Sequence, residues 1–515
     1  MKGFTRLDSV TVIAYLVGVS VIGALFYKRR STAKEYFLGG RSMSWLPVGI
    51  SIIAADLSAI TVMGNPAWSY QYNLEIIWQA FGYLLVAPIV ILVFVPFYTR
   101  LNLYTAYEYL ERRFSLSVRL VTSILFQIVR CAHVAIALYA PSLIIAFVTG
   151  RPEWQCVLGM GAFTIVYTTL GGMKAVIWTS VIQFCTVVLG TLLISYVAVS
   201  HVSGGLATVY RTALDSGRLK LFDFSFDPRD LTSFWACIIG GALLSIAPMT
   251  TDQAILQRFF TTKSYEDCKQ SIILQAIVTI PIQLLLFFTG IVIFVFYHYH
   301  PSHLAGLVSK DAIMPFFAVH ELPSGVSGLL IASIFAASMA VMSAGINSLT
   351  TASTVDIYQR LFRPNATPEH YGAVGRIGTV CWGAAATLFA MFAKYLGDLV
   401  LSYMRVSSFI SGPLFGIFAL AALSKRTTSN GVLIGAGVGT AAVALMAFRT
   451  QWSFFYQGPV GAIVTIAVGY AASLFMAAPP LEKIRGYVVG QGVNPIGKHE
   501  LTGPLRLKNE LTCQP

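Results

Sequence analysis

Ala54-Ala55-Asp56-Leu57-Ser58-Ala59-Ile60-Thr61, followed by Gly64-Asn65-Pro66, sits inside an apolar run of about residues 44–70. The run is long enough to cross a hydrocarbon core of about 30 Å. Its middle nevertheless holds a carboxylate, hydroxyls and helix breakers. Backbone in lipid must satisfy its own hydrogen bonds, so interrupted backbone is tolerated at membrane depth only against protein or a water-filled cavity. The stretch therefore reads as a broken transmembrane helix, whose half-helix ends and free carbonyls can hold ions and solute.

The rest of the chain supports a membrane setting. Of 515 residues, 56% are hydrophobic and 11% charged, and mean hydropathy is +0.71. Soluble domains carry about 25% charged residues. Spans are expected near 9–27, 44–70, 76–98, 119–148, 155–171, 175–200, 231–254, 271–298, 324–357, 372–394, 399–423, 431–448 and 456–477, about thirteen in all. All are read as helices, giving an all-α integral membrane protein. The first run ends in Lys28-Arg29-Arg30 without an A-x-A-like cleavage site, so it reads as a span and not a signal peptide.

The net charge of +13 does not indicate nucleic acid, because the basic residues flank the apolar runs. Placing the N-terminus outside puts Lys28, Arg29, Arg30, Lys34, Arg41, Arg100, Arg112, Arg113, Arg119 and the tail's basic residues inside. That arrangement predicts N-terminus outside and C-terminus inside. The seven cysteines form no CxxC and lie mostly in or beside spans, so neither a disulfide framework nor a zinc site is expected.

A second interruption is expected at Gly240-Gly241 and Ser245-Ile246-Ala247-Pro248, since glycine pairs and proline weaken the helical ladder. The two interrupted spans are five apart, which suits a five-plus-five inverted repeat. The expected organisation is one transmembrane domain over residues 1–480. It comprises an extra N-terminal helix at 9–30, repeats at 44–200 and 231–423, and two extra helices at 431–477, with a mobile cytoplasmic tail at 481–515.

Further segments accompany the broken span: Tyr36-Phe37-Leu38-Gly39-Gly40-Arg41, Ala106-Tyr107-Glu108-Tyr109-Leu110-Glu111-Arg112-Arg113-Phe114 and Gly171-Gly172-Met173-Lys174-Ala175-Val176-Ile177-Trp178-Thr179. Later come Thr251-Asp252-Gln253 with Gln257-Arg258, and Asn347-Ser348 with Asp356-Ile357-Tyr358. In this order and spacing, over about residues 9–425, the chain resembles the sodium:solute symporter family. The resemblance implies a multi-pass carrier of the plasma or inner membrane. It also implies the inverted-repeat fold of the leucine-transporter type, alternating access and a co-transported sodium ion, with no other cofactor.

Within that family the pocket positions resemble those of the sialic-acid transporters. The matching substrate-binding residues are Ser58, Thr61, Gln79 and Arg130. The implied solute is small and carboxylate-bearing, with sialic acid a candidate. Arg130 lies about a third of the way into its span, where a charge costs about 2.5–3.5 kcal/mol and needs a partner. A guanidinium fork suits a carboxylate. The alternatives are a permanent pair with Asp56 or snorkelling to the inner surface. Trp68, Tyr70 and Trp78 suit either a gate or interface anchoring, His133 and His201 read as structural or surface histidines, and Asp252 reads as part of an inner-loop ion pair with Arg258.

The resemblance implies cation ligands at the carbonyls of Ala54, Leu57 and Ala337. The family's two adjacent hydroxyls in the ninth span fall on Ala340 and Val341, and a second site's aspartate falls on Ser180. None of these side chains reproduces the expected ligand. Asp56 stands against that loss: it binds sodium directly, carries a proton, or neutralises Arg130. The leading expectation is cation-coupled symport. A proton-coupled or ion-independent carrier of sugars or amino acids is the alternative, and a membrane solute sensor is an alternative of another class. No nucleophile–base set, phosphate loop or metal cluster suggests an enzyme.

Overall fold

The computed structural model describes residues 5–26, 32–305, 307, 310–396 and 399–491. The basic cluster Lys28-Arg29-Arg30 and the tail beyond Gln491 lie outside them. Among the described residues there is no strand, only one bridge between Met43 and Thr262.

Besides short helices at Ala33–Leu38, Gly205–Asp215 and Ile313–Glu321, the helices are α1 (Arg6–Leu25), α2 (Trp45–Asp56), α3 (Ala59–Gln71), α4 (Glu75–Arg100), the short α5 (Ala106–Arg113), α6 (Leu116–Thr149) and α7 (Glu153–Ser200). There follow α8 (Phe234–Thr251), α9 (Gln253–Phe259), α10 (Tyr265–Tyr299), α11 (Val326–Phe362) and α12 (Pro368–Phe392). The last three are α13 (Leu399–Leu423), α14 (Ser429–Arg449) and α15 (Phe454–Leu474). Ten helices among the described residues are long and apolar enough to cross a membrane, or eleven if the bent pair α2–α3 is one span.

The expected spans 155–171 and 175–200 are the two helical arms of α7, parted by non-helical backbone at Gly172 (φ 59°, ψ −161°). That backbone favours glycine. Space demands it too: a Cβ there would lie 3.0 Å from the Tyr36 carbonyl oxygen.

α11 forms the centre and is buried along most of its length. α12, α14 and α15 present Phe389, Phe392, Phe448 and Ile463 outward, as lipid-facing helices do. α1 is fastened to the start of α11 through Asp8. One carboxylate oxygen accepts the Thr5 hydroxyl at 2.6 Å, and the other accepts the amides of Gly325 and Gly328 at 2.7 and 2.9 Å. Gly325 is the N-cap and Gly328 the third residue of α11, so neither amide has a carbonyl partner within the helix. Glycine permits the approach, because a Cβ on Gly328 would meet the Asp8 carbonyl oxygen at 2.6 Å.

The tail departs from expectation at its start. Residues 481–491 pack against the body instead of leaving it: Tyr109 donates to the Tyr487 carbonyl at 2.8 Å, and the Val489 amide donates to Ala422 at 2.9 Å. Ile484 and Val488, four apart, bury their side chains and provide the apolar face that the charged residues around them obscure in sequence.

Candidate functional site

The helix bends by 62° between α2 and α3. Leu57 leaves helical geometry at ψ 79°. The Ser58 amide turns to the Asp56 carbonyl at 3.0 Å and does not continue to Ala54. The Thr61 amide goes to the Ser58 hydroxyl at 3.2 Å, which caps α3 and takes that amide from Leu57. The carbonyls of Ala54 and Leu57 thus lose their helical amides, and oxygen groups of this kind suit a hard cation.

α8 behaves differently from the sequence expectation. It runs as helix through Gly240, Gly241 and Pro248, and the interruption comes at Asp252 (ψ 115°), before α9. The two glycines serve close packing. A Cβ on Gly241 would fall 2.6 Å from Gln79 Cα, and one on Gly240 would fall 2.5 Å from Phe455 Cβ. Pro248 has no amide for the Leu244 carbonyl, and both residues face the cavity described next.

Between these elements lies a cavity of about 880 Å³. Asp56, Leu57, Thr61, Gln79, Arg130, His133 and Asp252 line its depth. Trp68, Asn73, Glu75, Thr232 and Lys310 line it toward one membrane face. Asp56 accepts the Tyr83 hydroxyl at 3.0 Å and the Gln275 amide at 2.7 Å. Arg130 donates to Asp252 Oδ2 at 3.1 Å and sits 3.1 Å from His133 Nδ1. Asp252 Oδ1 accepts the Ala254 amide at 2.7 Å, capping α9. Behind the wall, Arg258 is fully buried; its Nε donates to Ser51 at 2.8 Å and its Nη1 to the Ala254 carbonyl at 2.5 Å.

The opposite face is closed by interlocking polar contacts. Gln253 joins the Tyr104 carbonyl at 2.8 Å and the Ala106 amide at 3.0 Å, while Tyr107 donates to the Thr251 carbonyl at 3.0 Å. Gln257 bridges the Phe37 carbonyl and Asn347, both at 2.7 Å. Farther out, the buried Asp356 accepts Arg119 at 2.6 Å, Thr105 at 2.6 Å and Ser123 at 3.0 Å. Arg119 also reaches Glu111, at 2.7 Å.

The model of the sodium:solute symporter family matches residues 36–439. The chain belongs to this family. The symporter is similar to a sodium/sialic acid symporter, NanT, of Aliivibrio fischeri, at 31% identity over 91% of this chain and 93% of that protein. It is 32% identical to the human sodium-coupled monocarboxylate transporter 1, over 85% of this chain and 72% of that one. Its fold matches a substrate-bound, outward-open structure of a Na+-coupled sialic acid symporter at 29% identity and a TM-score of 0.86, over 92% and 99% of the two chains. It is a multi-pass membrane protein of a family of transporters.

Of the residues singled out in the sequence, Asp56, Leu57, Thr61, Gln79 and Arg130 meet at the symporter's cavity. Ser58 lies behind that wall, its hydroxyl 3.2 Å from that of Thr61. Ala54 is buried beside the break, and Ala337, Ala340 and Val341 are buried on α11; none of the four lines the cavity. Ser180 is buried on α7, its hydroxyl without a hydrogen-bond partner among the described residues. Trp68 lines the cavity, Tyr70 stacks edge-on with Phe294, and Trp78 packs on Phe81, Phe222 and Phe234.

Sequence reasoning missed Asp252, Tyr83, Gln275 and His133. Asp252 read as the partner of Arg258, but its ion pair is with Arg130. His133 read as a structural or surface histidine; it is buried beside Arg130 on the wall. The i, i+3 spacing of Arg130 and His133 was the one available signal for that contact.

Proposed function

We propose that this symporter couples sodium entry to uptake of a small carboxylate-bearing solute, with sialic acid the first candidate. The observation that carries the reading is Arg130, a buried guanidinium facing an 880 Å³ cavity beside the carboxylate of Asp56 and the loosened backbone of α2–α3. A guanidinium in that position suits a carboxylate bidentately. The relatives named above support the same chemistry, since the solutes in their names are carboxylates. Gln79, Thr61 and Ser58 would hold the solute's polar groups. Asp56 with the carbonyls of Ala54, Leu57 and Ala337 would hold the cation.

In this reading the cavity opens outward. The distribution of basic residues supports an outside N-terminus, an inside C-terminus and a cytoplasmic tail. Residues 44–200 and 231–423 form the inverted repeats, with the helices at 9–30 and 431–477 added around them in a single transmembrane domain over 1–480. Cation binding favours the outward-open state and raises solute affinity, and the solute must raise cation affinity equally.

The apolar Ala340 and Val341, with Ser180, favour a second reading in which a proton or no ion replaces sodium. One experiment separates these readings. Binding of N-acetylneuraminate, monocarboxylates, sugars and amino acids is measured in sodium and in choline, for wild type and Arg130→Ala. The proposal expects sodium-enhanced binding of an acid that Arg130→Ala loses while any neutral ligand is retained. Undiminished acid binding by Arg130→Ala overturns the carboxylate assignment, and equal binding in choline overturns the sodium coupling.

A further inference from the structure

Four charged groups meet around the cavity floor: Asp56, Asp252 and Arg130 on the wall, with Arg258 buried behind. Formally they cancel. A lone solute anion or a lone cation would upset that balance in a medium where uncompensated charge is costly. The hydrogen bonds divide the groups unevenly. Asp56 is held by the neutral donors Tyr83 and Gln275. Arg130 gives one amino group to Asp252 and His133, while its buried Nε has no partner among the described residues. The Arg130 guanidinium is thus only partly engaged, and the anion that engages it is held at the helix break by one oxygen only, the Oδ1 that caps α9.

Resting on the solute reading above, we propose that Asp252 is a resident stand-in for the solute carboxylate, and that partner exchange at this residue couples solute to cation. The incoming carboxylate takes the Arg130 amino group that Asp252 now holds. Asp252 Oδ2, released, turns to the cation held at Asp56 and completes its oxygen shell, while Oδ1 stays on the Ala254 amide. Each arrival leaves a partner for the other: the solute frees a cation ligand, and the cation draws away the solute's competitor. Anion and cation then enter as a neutral pair, and the affinity gain is equal in both directions. The inner part of the exchange lies at the α8–α9 break, which explains physically why that helix is interrupted at Asp252 and not at its glycines.

The test begins with sodium alone. Sodium-dependent thermal stabilisation is titrated without solute, with choline as the balancing ion, in wild type, Arg130→Gln, Asp252→Asn and the double variant. Arg130→Gln releases Asp252 as the solute would, so sodium affinity rises about tenfold, within the roughly 5–150-fold range of site-to-site couplings. Adding Asp252→Asn removes that rise. The asparagine keeps the Oδ1 cap on α9, which preserves the fold at the break. If the double variant keeps the tenfold gain, the gain comes from deleting a positive charge and the exchange is refuted; no gain in Arg130→Gln refutes it as well. Because this titration contains no solute, it stands even if the solute class is wrong. In the second arm, Asp252→Asn binds N-acetylneuraminate about tenfold more tightly in choline than wild type does, and sodium no longer improves binding. Retention of the wild-type sodium enhancement by Asp252→Asn overturns the proposal.

Discussion

Gly241→Ala should damage transport through a single methyl group. The added Cβ would sit 2.6 Å from Gln79 Cα and 2.7 Å from the Gln79 carbonyl oxygen, whereas ordinary contact begins at 3.4 Å. The atoms it meets are backbone, so no side chain can swing away. Either α4 or α8 must retreat by about 0.8 Å, the shortfall from that contact distance. Gly82 closes the same crossing from the other side, its own Cβ position lying 2.8 Å from the Ala242 amide nitrogen, which leaves little slack. Overpacking of this kind costs about 1–3 kcal/mol. Because Gln79 and Gly241 both line the cavity, the shift also misplaces the solute wall. At 1.36 kcal/mol per tenfold, the loss of solute affinity is at most about 150-fold, reached where the whole of that cost falls on the bound state. Purified protein in detergent gives the thermal midpoint, and proteoliposomes with an imposed sodium gradient give uptake. Gly437→Ala on α14, where a Cβ meets nothing within 4 Å, is the control: its uptake should match wild type and its midpoint should hold or rise. A Gly241→Ala protein with wild-type midpoint and wild-type uptake would refute the close-packing account of α8.

Asp56→Asn should keep the Tyr83 contact but lose most sodium dependence, seen as solute binding that no longer differs between sodium and choline. Ser58→Ala removes the α3 cap, worth about 1 kcal/mol; the sodium midpoint should shift about fivefold upward, and an unchanged midpoint would detach the cap from cation binding. Asp356→Ala leaves Arg119 with Glu111 as its one carboxylate and takes the acceptor from Thr105 and Ser123; breaking a buried pair costs up to about 3–5 kcal/mol, so the thermal midpoint should fall. A midpoint equal to wild type would show that the Asp356 network is not holding the closed face.

The broken span around Asp56 was legible because its cues agree: a carboxylate, hydroxyls and Gly-Asn-Pro inside an apolar run have few structural solutions in lipid. The second interruption was placed too early for an understandable reason. Glycine allows both unusual backbone and close approach, and Gly240-Gly241 uses the second. Only the position of neighbouring helices separates the two uses. Arg130 was recognisable as a buried charge, but its partner was not. Asp56 and Asp252 are separated from it by 74 and 122 positions in the chain, and sequence distance does not say which carboxylate turns toward the guanidinium. The two spans 155–171 and 175–200 were legible because Gly171-Gly172 parts two apolar runs, and the chain does turn between them at Gly172. The start of the tail was misjudged because two apolar residues among charges make a weak pattern, although together they bury a face.

The Asp8 clasp bears on how the molecule can move. Its carboxylate satisfies two amides at the head of α11, and at the far end of α1 a Cβ on Gly171 would sit 2.8 Å from the Gly23 carbonyl oxygen. Sliding α1 along either neighbour would strand those amides in lipid or drive backbone into backbone. The two ends of α1 are therefore pinned to different neighbours, α11 and α7, and any tilt of α1 is shared with both.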